Sequence, residues 1–161
     1  MKKIVLVDLD GSLITINSFR YWLLFTFVFL FFTLRWLSLA RFIKTVILRL
    51  IGLSDRLTMK RNILTLTEGL PDYLVSWFVW FLCHFINMSV LTEMGKYERT
   101  NYHIDLCTAA PLCYAEKIGE KLSFSHVFAT PFTFVAGWKE NIGNQKLISL
   151  DTFYGEQMDV Q

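Results

Sequence analysis

The stretch Ile4-Val5-Leu6-Val7-Asp8-Leu9-Asp10-Gly11-Ser12-Leu13 sets an unbroken apolar run against two carboxylates spaced i and i+2, with glycine directly after them. A strand that is apolar on both faces belongs in a parallel sheet covered by helices. Such sheets bind ligands just beyond the carboxyl ends of their strands. The stretch therefore predicts an α/β fold with Asp8 and Asp10 at the mouth of its first strand. Gly11 allows a sharp turn and a close approach of backbone to ligand. One carboxylate placed there can attack phosphorus and form an aspartyl-phosphate. The next can protonate the leaving oxygen and then activate water. Both lie in reach of a hard cation such as Mg²⁺, which prefers oxygen ligands and keeps several waters. The bland alternative is a D-x-D-G turn after a strand, with no chemistry.

Two later segments bear on the same chemistry. His103-Ile104-Asp105-Leu106-Cys107-Thr108-Ala109-Ala110-Pro111 reads as a strand near 102–107 that ends at a hydroxyl. Thr108 is placed to hydrogen-bond a phosphate oxygen beside Asp8. Pro111 opens a helix over 112–122, as N-terminal prolines do, and its first free N–H groups face the same anion. Gly143-Asn144-Gln145-Lys146-Leu147 offers Lys146 as a point charge that neutralises phosphate. The plain readings are an N-cap at Thr108 or Ala109 and a solvated lysine in a first helical turn.

In this order, the segments resemble the motifs of the haloacid dehalogenase (HAD) superfamily. Asp8-Leu9-Asp10-Gly11-Ser12-Leu13 looks like motif I, D-x-D-G-[TS]-[LV]. The segment ending at Thr108 is similar to motif II. Gly143 to Leu147 resembles motif III of the phosphoserine-phosphatase-like branch, and Phe128-Ala129-Thr130 sits where that branch has its "ATRLE" stretch. The resemblance implies a Rossmann-like parallel sheet, incomplete at its C-terminus, with an inserted α-helical cap. The core takes residues 1–15 and 95–161 and the cap 16–94. It implies a Mg²⁺-dependent phosphatase with Asp8 and Asp10 as catalytic and metal-binding residues. Gly11, Thr108, Ala109 and Lys146 bind phosphate. The family's fourth acidic motif falls about twenty residues beyond the motif III lysine, and here the chain reaches only Gln161. Glu156 and Asp159 in Gly155-Glu156-Gln157-Met158-Asp159 mimic it faintly as metal ligands. The chain reads as truncated before that motif, so the alternative function is a non-catalytic, membrane-associated remnant.

Composition bounds the rest. At 161 residues the chain suggests one domain with an insertion. It is 53% apolar with 15 phenylalanines, and its mean hydropathy of +0.40 is high for a soluble domain. A net charge of +2 argues against a nucleic-acid binder. Cys83, Cys107 and Cys113 make an odd count without C-x-x-C, against a disulfide framework or zinc site. His84, His103 and His126 show no ligand spacing. The first apolar run is short and acids follow at once, so no leader is expected and a cytoplasmic location is.

The expected cap is unusually apolar. Helices are predicted near 18–33, 35–51, 55–68 and 71–92, with breaks at Gly52 and Gly69-Leu70-Pro71. A strand near 125–129, a flap over 131–139 and a helix from 144 follow. Tyr21–Leu34 and Tyr73–Thr92 carry no charge at all. At ~1.5 Å per residue, the second would be about 30 Å long, enough for a bilayer core, while the first falls short. Between them Arg35, Arg41, Lys44, Arg49, Arg56, Lys60 and Arg61 crowd together. A spanning hairpin would put these bases outside, against the positive-inside rule. Trp36, Leu39, Ile43, Ile47 and Leu50 share one helical face opposite Arg41, Thr45 and Arg49. This is the pattern of a helix lying in a membrane surface. Its bases would meet anionic head groups, each at about 1 kcal/mol. The expected substrate is a phosphorylated small molecule or a lipid phosphate, because some members of the resembling branch have hydrophobic caps and resemble phosphatidylglycerophosphate phosphatases. The plain alternative is a cap whose apolar faces pack on one another or on a second subunit.

Overall fold

A computed structural model describes residues 3–97, 101–131 and 139–158, with side chains of the last helix through Gly155. Three parallel strands in the order β1-β2-β3 form the sheet. These are β1 (Lys3–Val7), β2 (Tyr102–Pro111) and β3 (Val127–Thr130). Five helices lie between β1 and β2: α1 (Ser18–Phe32), α2 (Trp36–Leu50), α3 (Arg56–Thr67), α4 (Asp72–Cys83) and α5 (Met88–Met94). The helix α6 (Leu112–Lys121) connects β2 to β3, and α7 (Asn144–Met158) follows. The α/β fold with a parallel sheet and a helical insertion is the one expected.

Local chemistry sets the helix starts. Asn17 caps α1 by accepting from Arg20 N–H at 3.0 Å, and Asp55 caps α3 by accepting from Thr58 N–H at 2.6 Å. Pro111 stands immediately before α6. Cys83, Cys107 and Cys113 are free thiols, and burial pushes the Cys113 thiol up to about 12.

Three expectations are corrected. β1 is covered on one face only: Val5 and Val7 turn inward, while Ile4 and Leu6 are exposed. It is the sheet's edge, so its continuous apolar run does not mark a strand covered on both sides. The helix near 71–92 is two helices. The helix α4 stops at Cys83, where Thr15 N–H bonds the Phe85 carbonyl and Asn87 N–H bonds the Leu13 carbonyl. Asn87 then caps α5 through Ser89 N–H. At ~1.5 Å per residue, α4 is about 18 Å long, and no described helix is long and apolar enough to cross a membrane. Third, β2 continues to Pro111: pairing with β3 is irregular between Cys107 and Pro111 and resumes at Pro111 with Thr130. The flap region is described only at Pro131 and Lys139; residues 132–138 lie outside the described residues.

One aromatic knot joins the insertion to the core. Trp22 of α1 is fully buried, with its ring centroid 4.9 Å from Phe78 of α4 and 5.3 Å from Tyr114 of α6. Tyr114 hydroxyl and Ser18 hydroxyl are hydrogen-bonded at 2.9 Å. On the far side, Gly119 lets α6 lie against β3, because a Cβ there would stand 2.3 Å from Val127 Cγ2. Gly119→Ala is therefore expected to cost about 1–3 kcal/mol by overpacking, seen as a lower melting temperature in circular dichroism. Val127→Ala is expected to cost less in that background than alone.

Candidate active site

The end of β1 curls into a tight loop. Leu13 N–H bonds the Asp8 carbonyl at 3.2 Å, Ile14 N–H the Leu9 carbonyl at 2.8 Å, and Gly11 N–H the Ile14 carbonyl at 2.8 Å. Gly11 has φ +76°, a left-handed conformation natural to glycine. Leu9, Leu13 and Ile14 are buried, which leaves the Asp8 side chain outward and 47% exposed. Asp10 Oδ1 accepts the Ser18 N–H at 2.8 Å. The carboxylate thus sits at the N-terminus of α1, where negative charge is favoured.

The end of β2 meets this loop through Lys146 of α7. Its Nζ lies 3.0 Å from Asp8 Oδ1 and donates to the Cys107 carbonyl at 2.9 Å. Thr108, the next residue, is buried. Its Oγ1 accepts from Ala110 N–H at 3.0 Å, so the hydroxyl proton is left for another acceptor. Asp8, Lys146 and the backbone beside Thr108 are thus in direct contact. The contact to Asp10 runs to α1, and Ala109 enters through its carbonyl. That carbonyl accepts from Thr130 Oγ1 at 2.6 Å and from the Lys60 ammonium.

Lys60 is a site residue that sequence reasoning passed over. It comes from α3 in the insertion and its side chain is 2% exposed. It pairs with Glu140 at 2.6 Å, while Arg56 pairs with the same Oε1 at 3.0 Å. Burial lowers the Lys60 ammonium below its ordinary range, and Glu140 acts against that shift. Asn141 Nδ2 donates to the Thr108 carbonyl at 3.0 Å and the Phe128 carbonyl at 2.8 Å. A signal for Lys60 did exist: it stands with Ile63, Leu64 and Thr67 on the buried stripe of α3, at i, i+3, i+4 and i+7. Glu140 and Asn141 had none.

Asp8 and Asp10 meet their protein partners through Oδ1. The donor set of two carboxylates suits Mg²⁺, which is usually bound by one or two carboxylates plus substrate. Among the described residues no group of three His, Cys, Asp or Glu side chains gathers. The Glu156 side chain and Asp159 lie outside the described residues.

Comparisons with known proteins bear on the family and the fold. The profile of the haloacid dehalogenase-like hydrolases matches residues 5–156, and the chain belongs to that family. That family is one of hydrolases. A protein of unknown function from Bordetella pertussis Tohama I is similar at TM-score 0.67 and 14% identity, over 98% of this chain and 76% of that one. A HAD family hydrolase from Salmonella enterica serovar Typhi is similar at TM-score 0.62 and 11% identity, over 96% of this chain and 52% of that one. A substrate-bound phosphoserine phosphatase is similar at TM-score 0.56 and 16% identity, over 98% of this chain and 72% of that one. No curated protein matches in sequence.

Breaking the buried pair leaves a charge uncompensated, at a cost of about 3–5 kcal/mol. Glu140→Leu strands the buried Lys60 ammonium and is expected to lower the melting temperature by roughly 6–20 °C, and Lys60→Met by less, because Arg56 still pairs with Glu140. The double variant is expected to recover most of the loss in the same thermal melt.

Proposed function

We propose that this chain is a Mg²⁺-dependent phosphomonoester hydrolase that works through an aspartyl-phosphate on Asp8, with a lipid phosphate at a membrane surface as its substrate. The observation that carries the hydrolytic part is the contact of Lys146 Nζ with Asp8 Oδ1 at 3.0 Å. It sets a fixed cation beside an exposed carboxylate at the end of a parallel strand. An entering phosphate would meet the Lys146 ammonium and the Thr108 hydroxyl proton, and Asp8 would attack in line. Asp10 would give its proton to the leaving oxygen and then take one from water. Gly11, at positive φ, keeps the loop that holds both carboxylates, and the Ala109 backbone borders the same anion. Mg²⁺ held by Asp8 and Asp10 would neutralise charge on the phosphoryl oxygens. Transfer of this kind depends mainly on positioning and electrostatics.

The surface of the insertion supports the lipid part. In α1 the buried line is Ser18, Trp22, Thr26 and Leu30, while Leu24, Phe27, Val28, Phe31 and Phe32 are exposed. The outer face is thus more apolar than the inner one. α2 docks through Leu39, Phe42 and Thr45, so of the expected apolar stripe only Leu39 is buried, and Trp36, Ile43, Ile47 and Leu50 face outward. Exposed apolar surface on this scale marks an interaction site. Arg35, Arg41, Lys44 and Arg49 stand beside it, and from Gly11 to Ser54 the sequence holds no acid at all. An anionic membrane face, the cytoplasmic one, complements that charge.

Phosphate release from an aryl phosphate with Mg²⁺ tests the chemistry. Asp8→Asn is expected to fall to background, and Asp10→Asn to lose about 10²–10⁴-fold. Equal rates in wild type and Asp8→Asn, including none in both, overturn the hydrolase. For the surface, co-sedimentation is expected with vesicles rich in phosphatidylglycerol, and Trp36→Ser/Ile43→Ser/Ile47→Ser is expected to abolish it. Absence of wild-type binding to those vesicles overturns the membrane reading alone.

A further inference from the structure

Away from the catalytic face, a carboxylate is buried in the middle strand. Asp105 is fully buried and stands two residues before Cys107, on the same side of β2. A buried carboxylate needs hydrogen-bond donors, and neither of its side-chain donors belongs to its own strand. Tyr154 of α7 donates its hydroxyl to Asp105 Oδ2. His126, just before β3, lies with Nδ1 3.0 Å from Asp105 Oδ1 and 3.1 Å from the Tyr154 hydroxyl. Burial first, and the hydrogen bond to Asp105 second, hold the Tyr154 phenol far above its ordinary range, so it stays a protonated donor.

The same helix carries Lys146. Lys146 and Tyr154 are eight residues apart, about 12 Å along the axis. Both attach to β2, one at the Cys107 carbonyl and the other at the Asp105 side chain. Apolar docking of α7 is confined to one small cluster: Leu150 and Tyr154 are buried, Phe153 lays its ring 4.7 Å from His126 and 5.3 Å from Phe128, and Leu147 and Ile148 are exposed. A helix so lightly packed can slide along the sheet unless polar contacts fix it. We propose that Asp105, gripped by Tyr154 and His126, is a positioning residue that sets the register of α7 and so the reach of Lys146 to Asp8. This rests on the reading of Asp8 and Lys146 as the phosphate site, but its test does not need turnover.

The test is site-resolved acylation of lysines by acetic anhydride on the full chain, read by peptide mass spectrometry. Tyr154→Phe and Asp105→Asn are expected to raise the Lys146 rate about tenfold, the value of one hydrogen bond to a charged group. Lys60 and Lys117, held by other contacts, are expected to stay at wild-type rates. An unchanged Lys146 rate overturns the proposal, as does an equal rise at all three lysines, which is general loosening. Leu150→Ala weakens the apolar contact and leaves both tethers, so Lys146 is expected to keep its protection. Its loss there overturns the proposal even if Tyr154→Phe does not fold. Where wild type releases phosphate, kcat is expected to fall about tenfold in Tyr154→Phe. Where it releases none, the hydrolase reading fails and the acylation result still decides the positioning role.

Discussion

Three consecutive carbonyls, those of Cys107, Thr108 and Ala109, hold this structure together. They fall where regular pairing between β2 and β3 lapses. Buried backbone carbonyls need donors, and here the donors are side chains. Lys146 of α7 serves Cys107, Asn141 serves Thr108, and Thr130 of β3 serves Ala109 together with Lys60 of α3. Side chains from α3 and from the stretch 130–146 are thereby drawn to one point on the middle strand. Because that point adjoins the end of β1, the same requirement that satisfies the backbone also assembles the candidate site.

This arrangement explains which parts of the site could be read from the sequence. Asp8, Asp10 and Gly11 are close neighbours, so their spacing alone states the local geometry. Thr108 and Lys146 became legible only through order along the chain, since nothing near Lys146 says that its partner is Asp8. Lys60 and Glu140 are 80 residues apart, and their pairing depends on where the insertion lands. A lysine on the buried stripe of α3 demanded a partner but did not name it. Asp105 was hidden for a similar reason: within an apolar strand it reads as an interruption, and both of its side-chain donors lie in later segments.

The insertion was legible in outline and misleading in its faces. α1 is apolar all round, so periodicity could not say which side packs inward. Shape decided instead: Trp22 fills the gap between Phe78 and Tyr114, and Ser18 reaches the Tyr114 hydroxyl. For α2 the periodicity was clear, but its assignment to the interior would have been wrong, since most of the stripe lies outside. The uncharged run of 73–92 hid a break where the backbone bonds to the loop after β1. Hydropathy does not register such pairing.

The two lysines at the β2 end illustrate how environment divides labour between like groups. Lys60 is sealed between a carbonyl and a carboxylate that is itself 5% exposed. Displacing the carboxylate would leave the ammonium buried and unpaired, so this cation is held for the fold. Lys146 is 24% exposed and its partner Asp8 47%, and water can compensate both when the contact opens. An exposed pair of this kind is worth little to stability, which makes it cheap to rearrange around an incoming anion. Of the two, Lys146 is thus the cation that the proposed phosphate would recruit, while Lys60 would stay with the fold beneath it.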